Sequence, residues 1–173
     1  MSEHARSEQA RSEQARSEHS VVHATFVIER THGVPPAQGF AAFADPAVKG
    51  RWFAGPGDWV PPEWSMDFRV GGREVNRGGP TSGPVHEFDA VYQDIVAGQR
   101  IVYTYDMRLD GRRISVSVVT IELRPDGGGT RLVFTEQGAY LDGMDRPAYR
   151  EQGMAELLDA LGVELHRTPA TAS

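Results

Sequence analysis

The sequence predicts an α+β domain in which one curved antiparallel sheet closes over a long helix near the C-terminus. Three observations carry that reading. In the stretch Arg146–Arg167, Met154, Leu157, Leu158, Leu161 and Leu165 recur at the i, i+3, i+4, i+7 spacing of a helix with one apolar face. Ahead of it, six short runs rich in β-branched and aromatic residues are separated mostly by glycine-bearing turns. A seventh run opens the domain, and two short helical segments follow it. The order strand, two helices, six strands, long helix sets the helices on one face of an antiparallel meander.

Composition bounds the function. With 173 residues, 39% of them hydrophobic, the chain can bury the core of one domain. It has no cysteine, which rules out a disulfide framework, a thiolate zinc site and a thiol nucleophile, and suits a reducing cytoplasm. A formal charge of −6 argues against a nucleic-acid protein, which would carry a basic stripe. Lys49 is the only lysine among 18 basic residues, a bias that reads as genomic base composition. No run of about twenty apolar residues could span a membrane. The N-terminus lacks the apolar core of a secretory signal.

Residues 1–20, SEHAR-SEQAR-SEQAR-SEHS after Met1, form a repeat whose i, i+3 Glu–Arg pairs could support a helix weakly. A five-residue period turns about 140° per repeat, so it builds no constant face. With only alanines to bury, this segment is expected to be a solvated, partly helical tail. The domain proper is expected over 21–167, with 168–173 a flexible end.

Val21–Arg30 alternates, with Val22, Ala24, Phe26 and Ile28 on one side and His23, Thr25 and Glu29 on the other. Pro35-Pro36 opens a short helix over Ala37–Ala44, and Asp45-Pro46 breaks it. A second short helix runs to Trp52-Phe53 and stops at Gly55-Pro56-Gly57. Neither helix can form a core alone, so both are expected to lid the open side of the sheet. Residues 58–64 form a proline-bearing loop whose Trp59 and Trp64 either line a cavity mouth or cover the core edge. Strands then follow at Ser65–Val70, Arg73–Arg77, Val85–Val96, Arg100–Leu109, Ile114–Arg124 and Thr130–Gln137. Gly71-Gly72, Ala97-Gly98, Asp110-Gly111 and Asp126–Gly129 supply turns between them. The Gly/Pro-rich 78–84 is a loop.

This order and several local motifs resemble the SRPBCC or START-like superfamily, whose helix-grip fold is also that of the birch-pollen-allergen-like proteins. Within it the chain is similar to the family named for homologues of the activator of the large heat-shock-protein ATPase. The matching stretches are Trp52-Phe53 with Gly55-Pro56, Asp67–Gly72, Val102–Tyr105, Gly129–Leu132, Thr135–Gly138, Leu141–Gly143, and Gly153 on the last helix. Together they span roughly residues 21–166. The family pattern often has Trp after the helix glycine, where this chain has Met154. The resemblance implies a pocket between sheet and long helix that takes apolar or amphipathic small molecules. No cofactor is expected. It does not imply a heat-shock partner, because bacterial-type members lack the cochaperone's separate binding domain.

Period-two alternation nominates the lining of such a pocket. Phe88, Ala90 and Tyr92 share a face, as do Tyr103, Tyr105 and Met107, and Leu132, Phe134 and Glu136. From these faces Phe88, Tyr92, Tyr103, Tyr105, Phe134 and Glu136, with the aromatics Trp52, Phe53 and Trp64 and the helix residues Met154, Leu157, Leu158 and Leu161, give the candidate ligand-binding set. Glu136, Tyr103 and Tyr105 are its expected polar handles, with Arg73 or His86 as charge partners. An inward Glu136 must be paired, neutral or at the mouth, because an unpartnered buried carboxylate costs several kcal/mol. The sequence holds no His-Glu-x-x-His or other metal-ligand spacing and no Gly-x-Ser-x-Gly elbow. Ser115 and Ser117 alternate along a strand with no base in view. Three functions fit this pattern. The first is a carrier or binding module for a small lipophilic molecule. The second is a cyclase- or hydrolase-like enzyme using Glu136 and a tyrosine for proton transfer. The third is a protein-interaction or cochaperone-like module, with homodimerisation through the aromatic lid or the tail.

Overall fold

The computed structural model describes residues 6, 19–53, 59 and 63–167. The expectations for the repeat, beyond Arg6, His19 and Ser20, and for 168–173 lie outside the described residues, as does most of the loop around Trp59. Alternation along the chain becomes seven strands: β1 (Val21–His32), β2 (Glu63–Met66), β3 (Arg73–Gly78), β4 (His86–Val96), β5 (Arg100–Leu109), β6 (Arg112–Asp126) and β7 (Gly129–Leu141). They form one sheet in the order β1-β7-β6-β5-β4-β3-β2, every neighbour antiparallel. β2 to β7 are a meander, and β1 joins it across the chain, with Phe26 opposite Glu136 and Ile28 opposite Phe134. Asp110-Gly111 turns β5 into β6 with φ of 49° and 80°, the double left-handed geometry of a tight hairpin.

Three helices complete the fold: α1 (Pro36–Ala44), α2 (Pro46–Trp52) and α3 (Pro147–Leu165). Each begins with a proline, where the missing N–H has no intrahelical partner to lose. Asp45 caps α2 by accepting from the Ala47 N–H at 2.9 Å. The Trp52 indole N–H donates to the Ala42 carbonyl at 2.9 Å and ties α2 back onto α1. The 19 residues of α3 reach roughly 28 Å at 1.5 Å per residue. Its buried face is Met154, Leu158, Leu161 and Leu165. Leu158 and Leu161 are 0% exposed, and full burial of a leucine side chain contributes about 1.5–3 kcal/mol relative to exposure. They share one core cluster with Phe26 and Ile28 of β1, Val119, Ile121 and Leu123 of β6, and Leu132 and Phe134 of β7, where α1 also packs on β6 and β7. This is the helix-grip arrangement. Register shifts at Tyr92/Asp94 and Met107/Arg108 bend the sheet. Among the described residues no helix is long and apolar enough to cross a membrane.

Candidate functional site

The leucines of α3 join the core over the β1–β7–β6 half of the sheet, with α1 packed beside them on β6 and β7, whereas the β4–β5 half is left open. Between that half and α3 is a hollow of about 900 Å³. Trp52 and Phe53, at the end of α2, form one side. Phe88 of β4 with Tyr103, Tyr105 and Met107 of β5 form the floor, and Met154 and Leu157 of α3 form the roof. The floor is an aromatic mosaic: Phe88 packs edge-on to Phe53 at 5.5 Å and tilted against Tyr105 at 4.8 Å between ring centres. Trp59 stacks on His86 at 4.9 Å on the same wall.

The polar part of the wall is built around Arg150. The i, i+4 spacing on α3 puts Arg150 in line with Met154 and Leu158, so an arginine occupies the apolar stripe. Its side chain is 10% exposed and that of Glu136 is 0% exposed. The Glu136 Oε1 accepts from the Tyr105 hydroxyl at 2.7 Å, the Ser117 hydroxyl at 2.8 Å and Arg150 Nη1 at 3.1 Å. Arg150 also donates to the Tyr105 oxygen, to Ser115 Oγ at 2.7 Å and to the Asp145 carboxylate. Its guanidinium lies over the rings of Tyr105 at 5.5 Å and Tyr140 at 5.6 Å. Burial works against the guanidinium's charge, but Tyr105, Glu136 and Asp145 more than offset it and hold Arg150 above its ordinary pKa. Burial likewise pushes the Tyr103 and Tyr105 hydroxyls well above theirs, so both remain protonated donors.

A close approach makes this cluster fit. Gly138 lies on the inward face of β7 between Glu136 and Tyr140, and a Cβ there would sit 2.8 Å from the Tyr140 ring and 2.9 Å from Ser117 Oγ. The shift at Met107/Arg108 leaves Ile114 as an extra residue on β6, so that Ile114 and Ser115 are both buried. Ile114 faces the hollow and Ser115 reaches Arg150.

A second buried network lies beside the hollow. Lys49 Nζ donates to Glu74 Oε2 at 2.6 Å, the Tyr92 hydroxyl donates to the same oxygen, and the Trp64 indole N–H donates to Oε1 at 3.2 Å. Burial lowers the Lys49 pKa and Glu74 offsets that only in part, while burial and Glu74 together raise that of Tyr92. The Lys49 ammonium also sits 4.8 Å from the centre of the Phe53 ring. This network ties α2 to the β2–β3–β4 edge and backs the aromatic side of the hollow.

The structure divides the candidate residues into wall and support. Trp52, Phe53, Phe88, Tyr103, Tyr105, Met154 and Leu157 line the hollow. Trp64 and Tyr92 do not; they stand beside it, bonded to Glu74. Phe134, Leu158 and Leu161 belong to the filled half of the core. Glu136 is behind Tyr105 and Arg150 and not on the wall. The charge partners expected for it are also corrected. Arg73 pairs with Asp89 at 2.6 Å on the outer face of the sheet, and His86 stacks on Trp59. Arg150 holds Glu136 instead. Sequence reasoning missed Arg150, Asp145, Lys49 and Glu74, and it noted Ser115 and Ser117 without their partners Arg150 and Glu136. Only Arg150 left a readable signal, a charge within the apolar stripe of α3.

Comparison with known proteins places this architecture. No protein with a curated description matches the sequence. An uncharacterized protein from Rhizobium leguminosarum superposes with a TM-score of 0.82 at 43% identity, over 87% of this chain and 99% of that one. A Rhizobium loti protein is 49% identical with a TM-score of 0.78, over 84% of this chain and 99% of its own. An AHSA1-like protein from Aeromonas hydrophila shares the fold, with a TM-score of 0.65 at 21% identity over 86% of this chain and 100% of that one. The sequence profile of the family described as activator of Hsp90 ATPase homolog 1-like protein matches residues 33–166, which take in all three helices and every strand but β1. On that match, the chain belongs to the activator of Hsp90 ATPase homolog 1-like family.

Proposed function

We propose that the chain is a small-molecule binding module that holds an apolar or amphipathic ligand in the hollow between the β4–β5 half of the sheet and α3. The observation that supports this most is the hollow itself. At about 900 Å³ it lies within the size range of ligand pockets, and its wall is mainly aromatic and aliphatic, with Arg150, Asp145, Glu156, Asn76 and His86 as its polar groups. Burying about 200 Å² of ligand hydrocarbon there would favour binding by about 5 kcal/mol before ordering costs are subtracted. Phe88, Tyr103 and Met154 supply the contact surface. Arg150 and Asp145 orient the polar end. Glu136 has its Oε1 occupied by three donors behind this wall, which makes it a positioning group for Tyr105 and Arg150.

Native mass spectrometry of gently purified protein is expected to show a co-purifying lipophilic molecule. Trp52 and Trp59 line the hollow, so added amphiphiles should change tryptophan fluorescence saturably. Leu157→Trp, which fills the space from α3, should abolish that response. Absence of both a bound mass and a saturable change across fatty alcohols, acids and aromatic polyketides would end the reading.

A further inference from the structure

Resting on the binding reading above, we infer that the hollow selects ligands whose polar end is neutral or cationic and donates hydrogen bonds, and that it rejects carboxylates. Among the described residues the charged groups on its wall are Arg150, Asp145 and Glu156, two carboxylates to one guanidinium. A third carboxylate, Glu136, stands directly behind Arg150 at 3.1 Å. Burial holds the His86 imidazole below its ordinary pKa, so it adds no cation at neutral pH. The other buried cation near the wall, Lys49, is bonded to Glu74 at 2.6 Å.

Arg150 is not free to receive an anion. Nη1 donates to Tyr105 and Glu136, and Nη2 donates to Ser115 and Asp145, which occupies four of its five N–H donors. A ligand carboxylate would have to displace Asp145 or enter a net negative space without a partner, and a buried unpaired charge is strongly unfavourable. Hydroxyl or ammonium donors meet the opposite situation. The Asp145 carboxylate takes one bond from Arg150 and one from the Arg146 N–H at 2.8 Å, and its two oxygens have further capacity to accept. Glu156 accepts only from Gln152, at 3.3 Å, among the described residues.

Three ligands with one hydrocarbon tail separate the alternatives: decanol, decylamine and decanoate, titrated into the full chain at neutral pH and followed by tryptophan fluorescence. Decanoate is expected to bind at least about tenfold more weakly than decanol, and decylamine at least as tightly as decanol. Asp145→Asn should narrow the decanol-to-decanoate ratio several-fold. Glu156→Gln, on the exposed side of α3, should move it the same way, which keeps the test alive if the Asp145 variant folds poorly. Decanoate binding as tight as decanol, or a ratio unmoved by both variants, overturns the charge selection while leaving the binding reading intact. Failure of all three ligands to bind overturns the charge selection, and joined to the absence of any co-purifying mass and of a saturable change with aromatic polyketides it overturns the binding reading too.

Discussion

Arg150→Met keeps most of the aliphatic length of the side chain and removes its guanidinium, which strands Glu136. The carboxylate is 0% exposed, and two neutral donors would remain to it, Tyr105 at 2.7 Å and Ser117 at 2.8 Å. Two such bonds contribute about 1–3 kcal/mol together, less than the cost of leaving a buried charge without its counter-charge. Breaking a buried pair in this way destabilises by about 3–5 kcal/mol. Loss of the Asp145 contact adds little, since that carboxylate is 15% exposed and can turn toward water. For a domain of this length each kcal/mol lowers the melting temperature by about 2–4 °C, so a fall of about 6–20 °C is expected. The assay is urea unfolding followed by far-UV circular dichroism, comparing midpoints at constant slope. Adding Glu136→Gln removes the stranded charge, so the double variant should be more stable than the sum of the single effects by at least about 1 kcal/mol. A cost under about 1 kcal/mol for Arg150→Met, or strictly additive effects, would refute the buried network as the anchor of α3.

Other consequences can be tested on the same instrument. Leu158→Ala, at a side chain that is 0% exposed where α3 meets the sheet, should cost about 2–5 kcal/mol; a near-neutral result would mean that the helix does not pack there. Gly138→Ala forces a methyl into the space between Tyr140 and Ser117 and should cost about 1–3 kcal/mol; a stabilised variant would contradict the close approach. Burial first, then His166 and Arg30, holds His32 below its ordinary value of 6.5. The unfolded chain therefore takes up a proton near pH 6.5 that the folded chain resists. Stability should be full above that pH and fall as pH drops below it. His86 acts with the same sign, so His32→Gln should flatten the acid limb of a melting-temperature profile without erasing it. A melting temperature that rises on acidification would contradict the assignment.

The strand alternation that nominated Phe88, Tyr103 and Tyr105 was readable because a period of two assigns every residue to a face, and one face of this sheet is covered. The same reasoning correctly turned Glu136 inward, yet it named Arg73 and His86 as partners. Arg73 lies on the opposite face of β3 from its buried neighbour Glu74, and it meets Asp89 outside. Trp64 shows a different limit. Its aromatic character marked it for burial, but only the pairing of β2 with β3 brings its indole to Glu74.

Local chemistry in the chain was enough to indicate seven strands, the proline-started helices, the turns and the apolar stripe of α3, although β2 is Glu63–Met66 where the sequence predicts Ser65–Val70. These depend on backbone sterics and on side-chain period over a few residues. Tertiary structure alone decided that α3 and α1 together close over the β1–β7–β6 half, while α3 stands off from the β4–β5 half. It also decided that Arg150, Asp145, Ser115 and Ser117 converge with Tyr105 on Glu136. Those relations follow from sheet curvature, from the extra residue in β6 and from the path of α3 across the sheet, and they join groups up to 45 residues apart within one cluster. Sequence period records which way a side chain points; what stands across from it is set by how distant segments pack.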